Sequence, residues 1–109
     1  MNMFPLPKHD AANLAIGVDL DSRFANQAVF LQAMISNWDG AVIGIMIDKV
    51  AGVENMREHG INCHQLLGVE SQDAKAEAIN GMGFIAIISD DEQLLRCVSI
   101  ETARLLIIN

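Results

Sequence analysis

"NQAVFLQAMISNWDGAVIGIMIDKV", residues 26–50, is the stretch on which the fold turns. In its first half Ala28, Leu31 and Ile35 fall at helical spacing, and the Ala and Gln content suits a helix. Val29, Leu31, Ala33 and Ile35 equally line one face of a strand, so periodicity leaves both readings open. The second half is less ambiguous: "AVIGIMIDKV" is β-branched and apolar on both faces, the pattern of a strand covered on both sides. The tetrapeptide "NWDG" between the two halves is rich in turn residues. Two apolar runs joined through Asp39-Gly40 read as a β-hairpin.

Working outward, residues 1–12 hold both prolines and no period that defines a packed element, and are read as an N-terminal arm. Residues 13–109 are read as one domain. "NLAIGVDL" predicts a strand ending at Asp21-Ser22. The glycine-punctuated middle contains "SQDAKAEAI", a short helix with Ser71 as cap and Asn80-Gly81 as stop. A second hairpin is expected from "FIAIIS", the turn "DDEQ" and "LLRCVS". Ser99 then caps a helix over "IETARLLI", with Ile100, Ala103 and Ile107 on one face. No internal repeat or low-complexity tract is present. The predicted fold class is mainly β, a barrel or sandwich with one or two short helices.

Composition narrows the function classes. A chain of 109 residues suffices for one domain with a real core. The formal charge is −7, with seven basic residues against fourteen acidic ones, and the isoelectric point is about 4.6. Nucleic-acid partners and anionic membrane surfaces both call for clustered Lys and Arg, so neither is expected. There is no Tyr and only one Trp, which leaves no platform for stacking bases. No apolar run approaches the roughly 18 residues of a membrane-spanning helix. The opening "MNMFPLPKHD" lacks the layout of a secretory signal, which points to a cytoplasmic protein. Cys63 and Cys97 have no paired spacing and are expected to be reduced.

Several constellations could carry chemistry. "HGINCH" places His59, Cys63 and His64 within six residues, but a zinc site normally wants a second pair of ligands. "DLD" (Asp19, Asp21) and "SDDE" (Asp90, Asp91, Glu92) could bind a hard cation through oxygen; neither follows a calcium-loop pattern, and solvated acidic turns explain them. The glycines of "GVENM" and "NGMG" show no phosphate-cradling spacing. Cys63 beside His64 is the nearest approach to an activated nucleophile, and neighbours on an extended chain point to opposite faces. The expectation is therefore no enzyme, no catalytic residues, no metal and no cofactor.

"AVFLQAMISNWDGAVIGIMIDKVAGVENM" resembles the CheW-like domain family, the coupling modules of bacterial chemotaxis. Its "GxxVDxVxxV" pattern corresponds to Gly44 to Val53, with Ile47 where Val is usual and Asp48, Val50 and Val53 retained. "GVDLDSRFA" looks like the family's "VVDLRxxFG", and "INGMGFIAIISDDEQLLRCVSIETARLL" looks like its closing strand, turn, strand and helix. The resemblance runs over residues 14–108 and lacks the family's N-terminal strands and "NLRG"-like segment. It implies an incomplete SH3-like β-barrel and a non-catalytic adaptor, coupling the regulatory domain of a CheA-like histidine kinase to chemoreceptors. Asp48, Val50, Val53 and Met56 are the implied partner-binding residues. Strand edges left open by the missing part imply a homo-oligomer formed by strand pairing or exchange. Two alternatives stand beside this reading: a small-ligand or metal-binding domain using residues 59–64, and a self-assembling structural domain.

Overall fold

Residues 28–36 are helix, and this one assignment changes the architecture. The computed structural model describes residues 14–108. Five strands, β1 (Ala15–Asp19), β2 (Ala41–Met46), β3 (Gln65–Gly68), β4 (Ala86–Ser89) and β5 (Ala103–Leu106), form one sheet in the order β3-β2-β1-β4-β5. Every pairing is parallel. Four α-helices make the crossovers: α1 (Ala28–Ser36), α2 (Lys49–Glu58), α3 (Gln72–Met82) and α4 (Glu92–Arg96). The expected mainly β, SH3-like barrel is thus corrected to a layered α/β fold. The predicted arm, residues 1–12, lies outside the described residues.

The burial pattern gives the physical reason. In α1 the residues Ala28, Leu31 and Ile35 are buried, one helical stripe, while Val29 is 77% and Phe30 62% exposed. A strand would have hidden Val29 together with Leu31. "NWDG" is the connection from α1 into β2: Asn37 caps the helix, and the Trp38 indole N–H donates to the Ala41 carbonyl at 3.0 Å. The apolar character of β2 on both faces, already visible in the sequence, is the mark of a parallel strand between two helical layers, and parallel neighbours cannot be joined by a tight turn.

The closing segments differ for related reasons. The Asp91 carboxylate accepts from the Leu94 amide at 3.2 Å and starts α4, so "LLRC" continues a helix. Ser99 makes a single turn, taking the Glu101 amide on its hydroxyl at 3.3 Å and the Thr102 amide on its carbonyl at 3.0 Å. Thr102 then donates to the Phe84 carbonyl at 2.9 Å, which delivers residues 103–106 to the edge of β4 as a strand. The helix expected at 71–79 is present, capped by Ser71 and closed by Gly83 in the left-handed region at φ 64°.

Two cores flank the sheet. Ile16, Val18, Leu31, Ile35, Val42 and Met46 pack under α1 and α2, whereas Ile43, Ile45, Ile79, Phe84, Ile87 and Leu94 pack under α3 and α4. Close approach is set by glycines: a Cβ on Gly17 would lie 2.8 Å from both Ile87 Cδ1 and Phe84 Cε2. From β1 the chain runs through β2 to β3, then crosses to β4 and β5 on the other side. The point where the order reverses lies between β1 and β4, at their carboxyl ends. Ligands of open α/β sheets collect in the crevice at such a point.

Candidate functional site

The carboxyl end of β1 is Asp19, and that of β4 is Ser89. Both are buried, at 1% and 0% exposure. Ser89 Oγ donates to Asp19 Oδ2 at 2.7 Å, bridging the two strands across the reversal point. The other carboxylate oxygen, Oδ1, accepts from Lys75 Nζ at 2.8 Å and from the Asp21 amide at 3.1 Å. Lys75 comes from α3, where it sits one helical turn before Ile79 on the face turned to the sheet; it is 1% exposed.

The Lys75 ammonium also donates to Asp21 Oδ2 at 2.6 Å, and that oxygen takes the Ile47 amide at 2.8 Å. The Asp21 side chain is 27% exposed, against 2% for that of Asp19. Burial on its own would lower the pKa of Lys75; its hydrogen bonds to Asp19 and Asp21, and their charges, more than offset this and hold it above the ordinary lysine value. Lys75 is therefore a cation under the two carboxylates.

The loop that follows β1 is fixed from several directions. Asn55 of α2 donates through Nδ2 to the carbonyls of Leu20 and Ser22, at 2.8 and 2.7 Å. Ser22, buried at 1%, accepts the Asp90 amide on Oγ at 3.0 Å, and Asp90 Oδ2 accepts the Arg23 amide at 2.9 Å. The Asp91 amide donates to Ser89 Oγ at 2.9 Å. "DLDS" and "SDD", far apart in sequence, are thus tied into one acidic mouth with Lys75 beneath it.

The residues implied by the CheW-like resemblance are not gathered on one exposed surface. Asp48 is the N-cap of α2, its Oδ1 taking the Ala51 amide at 3.0 Å. Val50 is 71% exposed in the first helical turn. Val53 and Met56 are turned inward, packed on the core beneath α2. Asp48 follows Ile47, whose amide holds Asp21, so this end of "GIMIDKV" borders the acidic mouth.

The "HGINCH" groups are also separated. His59 closes α2, with Nδ1 3.0 Å from the Asn55 carbonyl and its ring edge-on to Phe24. His64 Nδ1 accepts the Val42 amide at 3.0 Å. Burial pushes the Cys63 thiol up to about 11, so it stays protonated at neutral pH. Among the described residues no group of three or more His, Cys, Asp or Glu side chains is arranged to hold a metal ion by itself, and no helix is long and apolar enough to cross a membrane.

Reading the sequence alone missed Lys75, Ser22 and Ser89 and took the acidic groups as separate solvated turns. The available signal was the position of "DLD" and "SDD", each ending an apolar strand, together with one lysine on the Ile79 side of an alanine-rich helix. Comparison with protein-family models, curated proteins and solved structures finds no match for this chain.

Proposed function

We propose that the chain is a phosphoryl-transfer enzyme of the carboxylate-nucleophile kind, acting on a phosphate monoester with a magnesium ion recruited together with the substrate. The observation that carries this reading is the position of the buried Asp19–Lys75–Ser89 network at the reversal point of the sheet. A buried ion pair costs several kcal/mol per ion in desolvation, by rough estimate, and apolar residues would serve packing as well or better. Such a network at the place where α/β sheets bind ligands is more readily explained by chemistry than by stability.

The roles follow from access. Asp21 has the solvent-reaching carboxylate and is the nucleophile; its oxygen attacks phosphorus, the bond from phosphorus to the ester oxygen breaks, and the alcohol leaves with a proton from water. Water then cleaves the acyl phosphate and restores the carboxylate. Lys75 supplies positive charge beside the transferring group, and Asp19 with Ser89 holds Lys75 in place. Magnesium commonly takes one or two protein carboxylates and completes its shell with water and substrate phosphate, which suits a mouth lined by Asp21 and Asp90 and requires no cage of protein ligands.

The adaptor reading drew its docking surface from a β-barrel face. The sheet is parallel instead, and Val53 and Met56 pack against the core beneath α2, so the acidic mouth is the feature on which the present reading is built.

The test is phosphate release from p-nitrophenyl phosphate with and without magnesium chloride, together with a thermal shift in magnesium plus inorganic phosphate. A ligand at 100 times its Kd stabilises the native state by about 2.7 kcal/mol. Magnesium-dependent release that is abolished in Asp21→Asn and reduced in Asp19→Asn is expected. Neither release nor a shift would make the network purely structural.

A further inference from the structure

Asp21, the carboxylate read as the nucleophile, stands two residues past the end of β1, where the sheet ladder no longer places the main chain. One side chain of α2 holds the peptides on both sides of it. Asn55, half-buried late in that helix, donates through Nδ2 to the Leu20 carbonyl at 2.8 Å and to the Ser22 carbonyl at 2.7 Å. Carbonyls only accept, so the amide nitrogen is the atom between them, and both of its protons are used. The amides of the same segment are held as well. Leu20 donates to the Ile45 carbonyl at 2.8 Å, Ser22 to the Asp19 carbonyl at 3.1 Å and Asp21 to Asp19 Oδ1 at 3.1 Å.

The Asp21 carboxylate is itself fixed at one oxygen. Oδ2 takes the Ile47 amide at 2.8 Å and Lys75 Nζ at 2.6 Å, whereas among the described residues Oδ1 takes no hydrogen bond. Oδ1 is the oxygen left to attack. We propose that Asn55 is a positioning residue for the reaction: by clasping residues 20 and 22 it fixes the main chain that carries Asp21, and so keeps Oδ1 aligned with phosphorus. It acts through Asp21 without touching substrate, and the assignment rests on the phosphoryl-transfer reading above.

The residue type supports this role. Asparagine is disfavoured in a helix interior, because its amide competes for backbone hydrogen bonds, and Asn55 stands inside α2 and not at its cap. The clasp needs two N–H groups on one atom of a short, uncharged side chain. Serine and threonine offer one donor, aspartate at neutral pH offers none, and lysine and arginine bring length and charge. Attack requires the reacting atoms to lie about 3–3.5 Å apart in line, and a misplacement of about 1 Å can cost about 100-fold in rate. The charge of Lys75 is untouched when the clasp is removed, so binding of the phosphate should suffer less than its transfer.

The experiment measures kcat and KM for p-nitrophenyl phosphate with magnesium chloride, and a thermal melt, for the wild type, Asn55→Ala, Asn55→Asp and Val53→Ala. Alanine preserves α2 as the most favourable helix residue, and aspartate preserves the side-chain shape without the amide donor. Both Asn55 variants are expected to lower kcat about 20- to 100-fold and to change KM by less than about threefold, the mark of lost transition-state geometry. Val53, packed on the core beneath α2, is the control for a loosened helix. Val53→Ala removes core contacts and no hydrogen bond, and should lower the melting temperature while kcat stays within about twofold of the wild type. Should one Asn55 variant fail to fold, the other decides. An unchanged kcat in a folded Asn55 variant, a rise in KM alone, or an equal loss of kcat in Val53→Ala overturns the assignment and leaves the phosphoryl-transfer reading standing. Unfolding of both Asn55 variants while Val53→Ala stays folded makes Asn55 a residue of stability, with the same consequence. If the wild type releases no phosphate from the ester, the phosphoryl-transfer reading has itself failed and takes the proposal with it.

Discussion

Both oxygens of the Asp19 carboxylate are occupied: Ser89 donates to one, Lys75 and the Asp21 amide to the other. Removing the ammonium leaves a carboxylate buried at 1% exposure without its counter-charge. Lys75→Met should therefore cost about 3–5 kcal/mol in urea denaturation, the usual penalty for stranding half of a buried pair. Ser89→Ala leaves Asp19 one donor short, at about 1–3 kcal/mol. The double variant Asp19→Asn, Lys75→Met has no stranded charge at either position, and should recover most of the loss caused by Lys75→Met alone. A double variant less stable than the single one would mean that the pair itself, and not the unpaired charge, contributes the stability. The one lysine of "SQDAKAEAI" was visible in the sequence, but its partners were not. The carboxylates it meets arrive from 54 and 56 positions away.

At the scale of elements, the two strands read most clearly in the sequence were β2 and β4, whose β-branched runs stand out from their surroundings, and α3 was legible from its serine cap. The segment that forms α1 was left open between strand and helix because its residues satisfy both periods, and α4 was read as turn and strand because its five residues are too few to show a helical period. What decides them is tertiary: parallel strands demand a crossover between them, and α1 and α4 are the crossovers that join β1 to β2 and β4 to β5. The same correction alters the reading of "DKVAGV". As the first turns of α2, it presents Val50 to solvent and Val53 to the core. Val53→Asp should then destabilise the fold by at least about 2 kcal/mol by forcing a carboxylate into apolar packing. Val50→Asp, exposed in the first turn, should change stability by less than about 0.5 kcal/mol, helped by the positive end of the helix. Thermal melts of the two variants side by side check this; equal effects would show that α2 does not present these faces.

On the scale of the whole molecule, the alkaline limb of stability joins the site to the fold. The chain contains no tyrosine, which removes a common source of alkaline titration. Among the described residues two groups, Cys63 and Lys75, are held above their ordinary values. The Cys63 thiol is raised by desolvation to about 11, whereas a free thiol titrates near 8.5, so the unfolded chain loses this proton first. A group with a raised folded pKa contributes stability in full below its unfolded pKa and loses it as pH rises through the folded one. Stability should accordingly fall between about pH 8.5 and 11 on account of Cys63. Lys75 has the same sign: hydrogen bonds and charge from Asp19 and Asp21 overcome the effect of burial and raise it, so its contribution is intact below about pH 10.4 and is lost above that. The two contributions are separable. Cys63→Ala should flatten the lower part of the fall, and the double variant Asp19→Asn, Lys75→Met should flatten the upper part, each measured by urea denaturation at fixed ionic strength from pH 7 to 11.5. An upper limb that persists in the double variant would mean that Lys75 is not the group that links the crossover helix α3 to the ends of β1 and β4, and the acidic mouth would then need another source of its positive charge.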